Sequence, residues 1–338
     1  MKFRIQRLHR IGILALSLSV SLILINYVWD NRNSSFHQQA ARFSNDSLSE
    51  SVAIENQVTN TTLGFESIIA INLAARTDRR DLLTLMSSYQ GVHLNWQNAV
   101  RGTEMDEKAW PSHWNTSGTQ STSGELGLWR SHVNALRHVV ETGYSTALII
   151  EDDVDWDVSF KSQLVDYARH LQNLTAPVDS LTQLSSSSSV QSPYGPAWDM
   201  LWLGTCANPP APNGTLWYDD LDGRRHALWY ADGGLACTWG YAVTLESARM
   251  LLGFSLDLSE AYDLHISSFC ETHNCAIVWP PLIANHRPAG SRRKFSDVQQ
   301  ETLDSSDVTV EAESRGIVHS AILDMLSRIS PKKFSAKR

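Results

Sequence analysis

Short apolar runs that alternate with helical segments constrain the fold of this 338-residue chain more than any other feature. ESIIAINL (66–73) is a mostly apolar run of the kind that forms a buried strand in a parallel sheet. TDRRDLLTLMSSYQG (77–91) predicts a helix with Thr77 as its N-cap and Gly91 just past its end. VHLNWQNAV (92–100) then returns as a second strand. This strand–helix–strand order is typical of a doubly wound α/β sheet.

The alternation continues along the rest of the chain. Residues 124–142 carry an apolar stripe at helical spacing and precede Gly143, which favours a helix that ends there. ALIIEDD (147–153) is a short apolar strand that ends in acids, and residues 228–245 predict a hairpin around Asp232–Gly233–Gly234. Further helices are predicted at 158–174, 246–252 and 260–270, and further strands at 198–204 and 275–282. We therefore predict an α/β fold with a mixed, mainly parallel central sheet.

A stretch without charged side chains, Ile11 to Val28, predicts a transmembrane signal anchor. At about 1.5 Å per residue, a helix of this length spans roughly 27 Å, close to the thickness of a hydrocarbon core. Residues 1–10 carry four basic side chains and no acid, which places them in the cytoplasm and the body across the membrane. A cleaved signal peptide is the alternative, but no small-x-small cleavage site follows the run. We expect a single-pass type II protein of the secretory pathway, in the Golgi, with a polar stem at 29–62.

Glycosylation motifs and cysteines agree with a lumenal body. Six N-x-S/T motifs occur, at Asn33, Asn45, Asn60, Asn115, Asn173 and Asn213. All four cysteines follow the predicted anchor, and an oxidising compartment would allow them to form two disulfides. Three pairings are possible, and proximity favours Cys206–Cys237 with Cys270–Cys275.

Composition sets the domain limits and excludes one class of partner. We expect a catalytic domain at 63–298, with a serine-rich mobile insertion at 177–196, and a polar tail at 299–338 with an amphipathic helix. The first ten residues contribute +4 to a formal charge of −8, so the remainder carries −12. An acidic body argues against nucleic acid as a partner. It also means that an anionic substrate would need a local cation.

Acids gather where one predicted strand ends. LIIEDDVD places Glu151, Asp152, Asp153 and Asp155 within five residues, and ligands of parallel α/β sheets bind at the carboxyl ends of the strands. Mutual repulsion favours a divalent cation there, and hard oxygen ligands suit Mg²⁺ or Mn²⁺. The alternative is a solvated turn whose aspartates cap the next helix.

Three arginines follow the first strand. Arg76, Arg79 and Arg80 are predicted at the ligand edge of the sheet and at a helix N-terminus, which favours anions. Guanidinium groups suit phosphate oxygens. Asn72 at the strand end has the chemistry to bind a base or ribose, or to satisfy the turn. The alternative is a surface cluster paired with nearby aspartates.

Three of these segments together resemble the signature of glycosyltransferase family 25. They are INLAARTDRR (71–80), GELGLWRSHVNAL (124–136) and ALIIEDDV (147–154), in the family's order and at family-like distances. TWGYAVTLESARMLL (238–252) and YDLHI (262–266) resemble later elements of the same family, so that the similarity covers residues 66–286. One departure is Leu128, where the family often has a cysteine.

The resemblance implies a GT-A type fold that binds a nucleotide diphosphosugar. The family contains bacterial lipooligosaccharide β-galactosyltransferases and collagen hydroxylysine galactosyltransferases. It therefore implies transfer of a sugar, usually galactose from UDP-galactose, with inversion. The bacterial members lack a membrane anchor, so the acceptor does not follow from the resemblance.

The resemblance and the residue chemistry together assign roles in the site. Metal ligation falls to Asp153, with Glu151 and His286 as further candidates. Donor binding is assigned to Asn72, Arg76, Arg79, Arg80, His132, Glu151 and Asp152. Asp263, which matches the family's downstream aspartate, is the candidate base, with Glu125 and Asp232 as further catalytic candidates.

Five of these assignments have a structural alternative. Glu125 and Asp263 are also placed to cap helices, and Asp232 stands in good turn chemistry. A core histidine is the alternative for His132, and a structural role for His286.

We predict a glycosyltransferase that needs Mn²⁺ or Mg²⁺ and uses a UDP-sugar on a glycan or glycoprotein. Two other classes stay open: a glycoside hydrolase with paired carboxylates, and an inactive protein that only binds nucleotide sugars or glycans. The arginines favour the transferase, because a neutral glycan offers them no diphosphate.

Overall fold

The computed structural model describes residues 51–114, 122–176, 192–207, 210–291, 295–298 and 309–329. The chain divides into two units, Met1–Ala53 and Ile54–Arg338. Of the first unit only residues 51–53 are described, and they are helical. The predicted anchor at 11–28 lies outside the described residues. Within the ranges given above, no helix combines the length and the apolar character that crossing a bilayer requires.

Eight strands form the central sheet in the order β2-β1-β3-β8-β5-β9-β7-β6. Smaller sheets join β13-β10-β4 and β11-β12. The strands are β1 Ser67–Asn72, β2 Asn95–Asn98, β3 Thr146–Glu151, β4 Val154–Trp156, β5 Met200–Gly204, β6 Leu216–Asp219, β7 Arg225–Ala231, β8 Gly240–Thr244, β9 Cys275–Trp279, β10 Ile283–Arg287, β11 Gly290–Ser291, β12 Thr309–Val310 and β13 Glu313–Ser314.

The central sheet is mixed, as predicted. β1 runs parallel to both β2 and β3, and β5 runs parallel to β9. The pairs β3–β8, β5–β8, β6–β7 and β7–β9 are antiparallel, so the parallel part is confined to one side and one inner pair. The carboxyl ends of β1 and β3 therefore lie side by side.

The predicted hairpin at 228–245 is wrong. β7 pairs with β6 and β9, β8 pairs with β3 and β5, and so two strands separate them. The turn chemistry itself is real, since Gly233 and Gly234 have φ values of 104° and 71°. The segment between the strands crosses the sheet instead of reversing beside it, and Cys237 in this segment is bonded to Cys206 after β5.

Besides the helical residues 51–58, six α-helices cover the sheet in the described part of the chain. They are α1 Thr77–Tyr89, α2 Ser123–Thr142, α3 Phe160–Leu171, α4 Leu245–Phe254, α5 Tyr262–Ser268 and α6 Ala321–Ile329. Arg76, not Thr77, is the N-cap of α1. Gly91 and Gly143 follow α1 and α2 with φ values of 63° and 75°, as their predicted helix-ending positions require.

The core lies in two layers, one on each face of the sheet. Because successive strand residues face opposite ways, Ile68 and Ala70 pack with α1, α3 and α6, whereas Ile69 and Ile71 pack with α2, α4 and α5. Helices on both faces leave the strand ends as the place for a site.

The packed body extends past the predicted domain limits. Ile54 and Val58 are buried although they precede residue 63. Ala321, Ile322 and Met325 are buried although they follow residue 298. Tyr194, from the end of the predicted insertion, is buried and stacks on Phe65 at 4.7 Å between ring centroids. The remainder of the insertion, 177–191, lies outside the described residues. Both favoured disulfides, Cys206–Cys237 and Cys270–Cys275, are confirmed.

Candidate functional site

The segments that follow β1 and β3 meet, as the parallel pairing requires. Ile71 lies opposite Glu151 in the register, so the two strands end together. The Asn72 amide donates to Asp152 Oδ2 at 2.8 Å and to the Arg76 carbonyl at 3.1 Å. This strand-end asparagine therefore ties the arginine loop to the acids.

Arg79 is the centre of the charged site. Its guanidinium contacts Asp152 at 2.8 Å and Asp153 at 2.9 Å, and it donates to the Phe295 carbonyl at 2.7 Å. Burial by itself lowers the pKa of Arg79, but the attraction of the two carboxylates outweighs it and raises the pKa above its ordinary value. One arginine is thus shared between two buried acids.

Asp153 is short of compensating charge. Burial, together with the negative charges of Glu151 and Asp152, raises the pKa of Asp153 to about 7 despite the attraction of Arg79. Burial also raises the pKa of Asp152. The Oδ1 atom of Asp153 is buried and has no hydrogen-bond partner. The acids therefore carry more negative charge than the nearby arginines compensate, and a bound cation would be stabilised.

Glu151 interacts with Thr238 and His132. Its Oε1 accepts from the Thr238 hydroxyl at 2.7 Å and lies 3.8 Å from His132 Nε2. Burial alone raises the pKa of Glu151, but His132 and Thr238 lower it to below its ordinary value. His132 is fully buried and its Nδ1 lies 3.0 Å from the Tyr241 hydroxyl. This histidine connects the acidic edge to the core of α2.

A cavity of about 260 Å³ opens between these strand ends and α2. Arg79, His132, Glu151, Asp152 and Asp153 all line it. Of the residues assigned to donor binding or metal ligation, the structure brings these five to one space.

Glycines allow backbone segments that line this cavity to approach one another closely. A Cβ on Gly127 would lie 2.6 Å from the Val100 carbonyl oxygen, and one on Gly124 would lie 2.6 Å from the Val298 Cα. Gly102 is closer still, since its Cβ would meet the Ser123 carbonyl oxygen at 1.8 Å. The glycines of the GELG segment are therefore needed for close backbone approach at the start of α2.

Glu125 has the capping role that was its structural alternative. Its carboxylate accepts from the Thr122 amide at 2.8 Å, and the Thr122 hydroxyl accepts from the Glu125 amide at 3.2 Å. This reciprocal capping box starts α2. This position gives no support to the predicted catalytic role of Glu125.

Besides Asn72, Arg76 and Glu125, three more predicted site residues do not line this cavity. Arg80 stacks over the Trp96 ring, 4.6 Å from its centroid. Asp232 is exposed in the turn after β7. Asp263 stands at the start of α5, where it accepts from the amides of Cys237 at 2.7 Å and Leu264 at 2.9 Å. Their assigned roles stay predictions.

His286 lies next to Asp153 but does not line the 260 Å³ cavity. Its amide donates to the Asp153 carbonyl at 2.6 Å, and its Nδ1 lies 2.9 Å from the Ser314 hydroxyl. Burial lowers the pKa of His286. Asp153 and His286 both line a second cavity of about 100 Å³. The role of His286 as a metal ligand stays a prediction.

Asp155, the fourth acid of the cluster, has a structural role as a hydrogen-bond acceptor. It accepts from the hydroxyls of Ser314, at 2.6 Å, and of Ser320, and from the amides of Trp156 and Ile322. It binds the C-terminal segment to β4 and does not point to the charged site.

Sequence patterns missed two residues of the site. Thr238 orients Glu151 from the segment after β7, and Asp297 contacts Arg76 and Arg79 from a segment more than 200 residues away. Thr238 stands in a segment of the family resemblance, which is the only signal it gives. Asp297 gives none.

The acids suit a divalent cation that takes only one or two ligands from the protein. Across the described residues there is no group of three or more histidine, cysteine, aspartate or glutamate side chains arranged to hold a metal. Mg²⁺, however, is commonly held by one or two carboxylates, with substrate phosphates as the other ligands. Asp153 Oδ1, buried and unpartnered, with Asp152 or Glu151 beside it, suits that mode.

Comparisons with known proteins agree on one family. The model of glycosyltransferase family 25 (LPS biosynthesis protein) matches residues 65–266. Procollagen galactosyltransferase 1 of Danio rerio is 30% identical over 200 residues, which is 56% of this chain and 29% of that protein. Procollagen galactosyltransferase 1-B of Xenopus laevis is 26% identical over 274 residues, 71% of this chain and 39% of that protein.

A relative named inactive also matches. Inactive glycosyltransferase 25 family member 3 of Homo sapiens is 27% identical over 203 residues, 56% of this chain and 29% of that protein. The aligned part of this chain thus spans roughly a third of the length of these relatives.

Proposed function

The chain belongs to glycosyltransferase family 25, and on this premise we propose that it transfers a sugar from a nucleotide diphosphosugar to a glycan or glycoprotein. We take the donor to be UDP-galactose, because the relatives described above are named galactosyltransferases. Procollagen, which their names contain, is one candidate acceptor.

One observation carries the proposal: Arg79 and the acids after β3 line a common cavity at the carboxyl ends of two parallel strands. Arg79, with Arg76 beside it, supplies guanidinium groups for diphosphate oxygens. Asn72 and Asp152 fix the position of the arginine loop. A neutral glycan offers no anionic group that would compete for these guanidinium groups.

Asp153, with Glu151 or Asp152, would hold Mn²⁺ or Mg²⁺. When bound, such an ion neutralises negative charge on the departing UDP. Glu151 is held in place by Thr238 and His132, so its carboxylate is positioned before any ligand arrives. Inverting transfer also needs a base for the acceptor hydroxyl, and Asp263 is our candidate from the family resemblance.

We further propose that the protein works in the Golgi as a type II membrane protein anchored by residues 11–28. Two disulfides support an oxidising compartment. Asn60, Asn173 and Asn213 stand in glycosylation motifs on exposed positions, which agrees with a lumenal body. Protease added to sealed microsomes should leave a C-terminal epitope intact. Digestion of that epitope without detergent would contradict this orientation.

The activity test measures UDP release and product formation by the purified full chain. UDP-galactose, other UDP- and GDP-sugars, and an acceptor panel that includes a procollagen peptide are supplied with Mn²⁺ or with chelator. We expect metal-dependent UDP release and a glycosylated product. Cleavage of chromogenic glycosides without UDP-sugar turnover would instead support a hydrolase.

An inactive binding protein is the second candidate, favoured by the relative that is named inactive. It predicts UDP binding with no product on any acceptor of the panel. Product formation by the natural chain would exclude it. In such an active preparation, loss of product with retained UDP binding in the Asp263→Asn variant would support Asp263 as the base.

A further inference from the structure

A short segment forms part of the wall of the charged site. Residues 295–298, here called the strap, include three that line the 260 Å³ cavity, Ser296, Asp297 and Val298. The strap is held at both ends. The Phe295 carbonyl accepts from Arg79 Nη2 at 2.7 Å, and the Val298 carbonyl accepts from the Thr122 hydroxyl at 3.3 Å.

Asp297 places a carboxylate on the arginines from the middle of the strap. Its Oδ2 contacts Arg76 Nη1 and lies 3.8 Å from Arg79 Nη1. Arg76 also pairs with Asp78 at 2.9 Å, but Asp78 belongs to α1 itself and does not line this cavity. Asp297 is therefore the cavity-lining carboxylate that contacts Arg76, and it approaches Arg79 beside the closer Asp152 and Asp153.

The close fit of the strap depends on a glycine. Gly124 allows the Val298 backbone to approach the start of α2, where a Cβ would lie 2.6 Å from the Val298 Cα and carbonyl oxygen. The strap is thus packed in place and holds Asp297 at a high local concentration beside the arginines.

We propose that Asp297 occupies the diphosphate position of the donor site, and that a nucleoside diphosphate binds by displacing this carboxylate from Arg76 and Arg79. This inference rests on the proposed function, and it names Asp297 as the residue that sets donor affinity. A diphosphate has more charge and more acceptor oxygens than one carboxylate, so it wins the competition at sufficient concentration. The apparent affinity is lowered by the fraction of molecules in which Asp297 holds the arginines.

The test compares UDP with uridine, which lacks the phosphates, by calorimetry on the full chain with Mn²⁺. Asp297→Asn removes the charge and keeps the shape, and we expect it to bind UDP at least fivefold more tightly than the natural chain. Uridine affinity should change less than twofold. Asp297→Ala, at a side chain 28% exposed, gives a second variant with the same expectation.

Asp78→Asn is the matched control, since it also removes a carboxylate from Arg76 but outside the cavity. We expect its UDP affinity to change less than twofold. An equal gain in Asp78→Asn and Asp297→Asn would overturn the proposal, because it would show a general charge effect. Unchanged UDP affinity in both Asp297 variants, while the natural chain binds UDP, would overturn it and leave the proposed function intact. No UDP binding by any of these chains would contradict the proposed function as well.

Discussion

At the scale of single residues, the site is a problem of charge balance. Glu151, Asp152 and Asp153 follow one another at a strand end, and Arg79 contacts only the last two. Asp153 lacks compensating positive charge more than Asp152 does, because burial and its two acidic neighbours raise the pKa of Asp153 to about 7. Such a site favours either a proton or a cation.

This deficit predicts a pH-dependent stability. The ordinary pKa of the Asp153 carboxyl is 3.8 and its folded value is about 7, so the folded state holds its proton more tightly. Stability is then lost as pH rises from about 4 to 7, and the full penalty is present above pH 7. Asp153→Asn should become more stable relative to the natural chain over that range, by about 1.4 kcal/mol or more at pH 8. Chemical unfolding in chelator at pH 4 and pH 8 measures this, and a difference that does not vary with pH would contradict it.

Two arginines of α1, Arg79 and Arg80, should differ sharply in their effect on stability. Arg79→Ala leaves two buried carboxylates without their partner, and we expect a loss of about 3–5 kcal/mol in unfolding free energy at pH 8. Arg80→Ala is the control on the same helix; it loses only a contact over Trp96 and should cost less than about 1 kcal/mol. Equal losses in the two variants would argue against Arg79 as the centre of the site.

At the scale of elements, the start of α2 shapes the cavity through its glycines. Gly127→Ala would bring a methyl group within 2.6 Å of the Val100 carbonyl oxygen and 2.8 Å of the Gly102 amide. Both obstacles are backbone atoms, so the helix itself must shift.

We expect Gly127→Ala to lower the unfolding free energy by about 1–3 kcal/mol and to weaken UDP binding. Gly253→Ala is the matched control, since this α4 glycine has no atom within 4 Å of the added Cβ and should gain up to about 1 kcal/mol. Denaturant titration of both variants decides the point. A stabilised Gly127→Ala would mean that the close approach is not required.

Local patterns predicted elements better than pairings. The ends of α1 and α2 follow from Gly91 and Gly143, and the strand at 147–153 from its apolar run, because each depends on neighbouring residues. The hairpin failed because a Gly-Gly turn sets only the local backbone. The choice of β9 and β6 as partners of β7 depends on packing across the sheet, which no short window contains. Asp297 was missed for the same reason.

At the scale of the whole molecule, the C-terminal segment belongs to the folded body. Asp155 accepts hydrogen bonds from Ser314, Ser320 and Ile322, and α6 buries Ile322 and Met325. The sequence shows this segment as a polar tail with an amphipathic helix, because the acids and hydroxyls that connect it to β4 look like ordinary surface residues.

Asp155→Ala should therefore be strongly destabilising. It leaves several buried donors without an acceptor, and we expect a loss of more than about 3 kcal/mol. Asp324→Ala removes an acid on α6 that pairs with exposed Arg328, and it should cost less than about 1 kcal/mol. Thermal unfolding of the two variants measures the difference. Similar midpoints would show that the C-terminal segment adds little to the fold.

The central claim is that Asp153 and its neighbours hold a cation that shares a nucleotide diphosphate with the arginines. Calorimetric titration of UDP with Mn²⁺ and with chelator, on the natural chain and on Asp153→Asn, tests it most directly. We predict that Mn²⁺ increases the UDP affinity of the natural chain at least tenfold, and that a folded Asp153→Asn variant loses this increase. The same Mn²⁺-dependent increase in both proteins would contradict the claim.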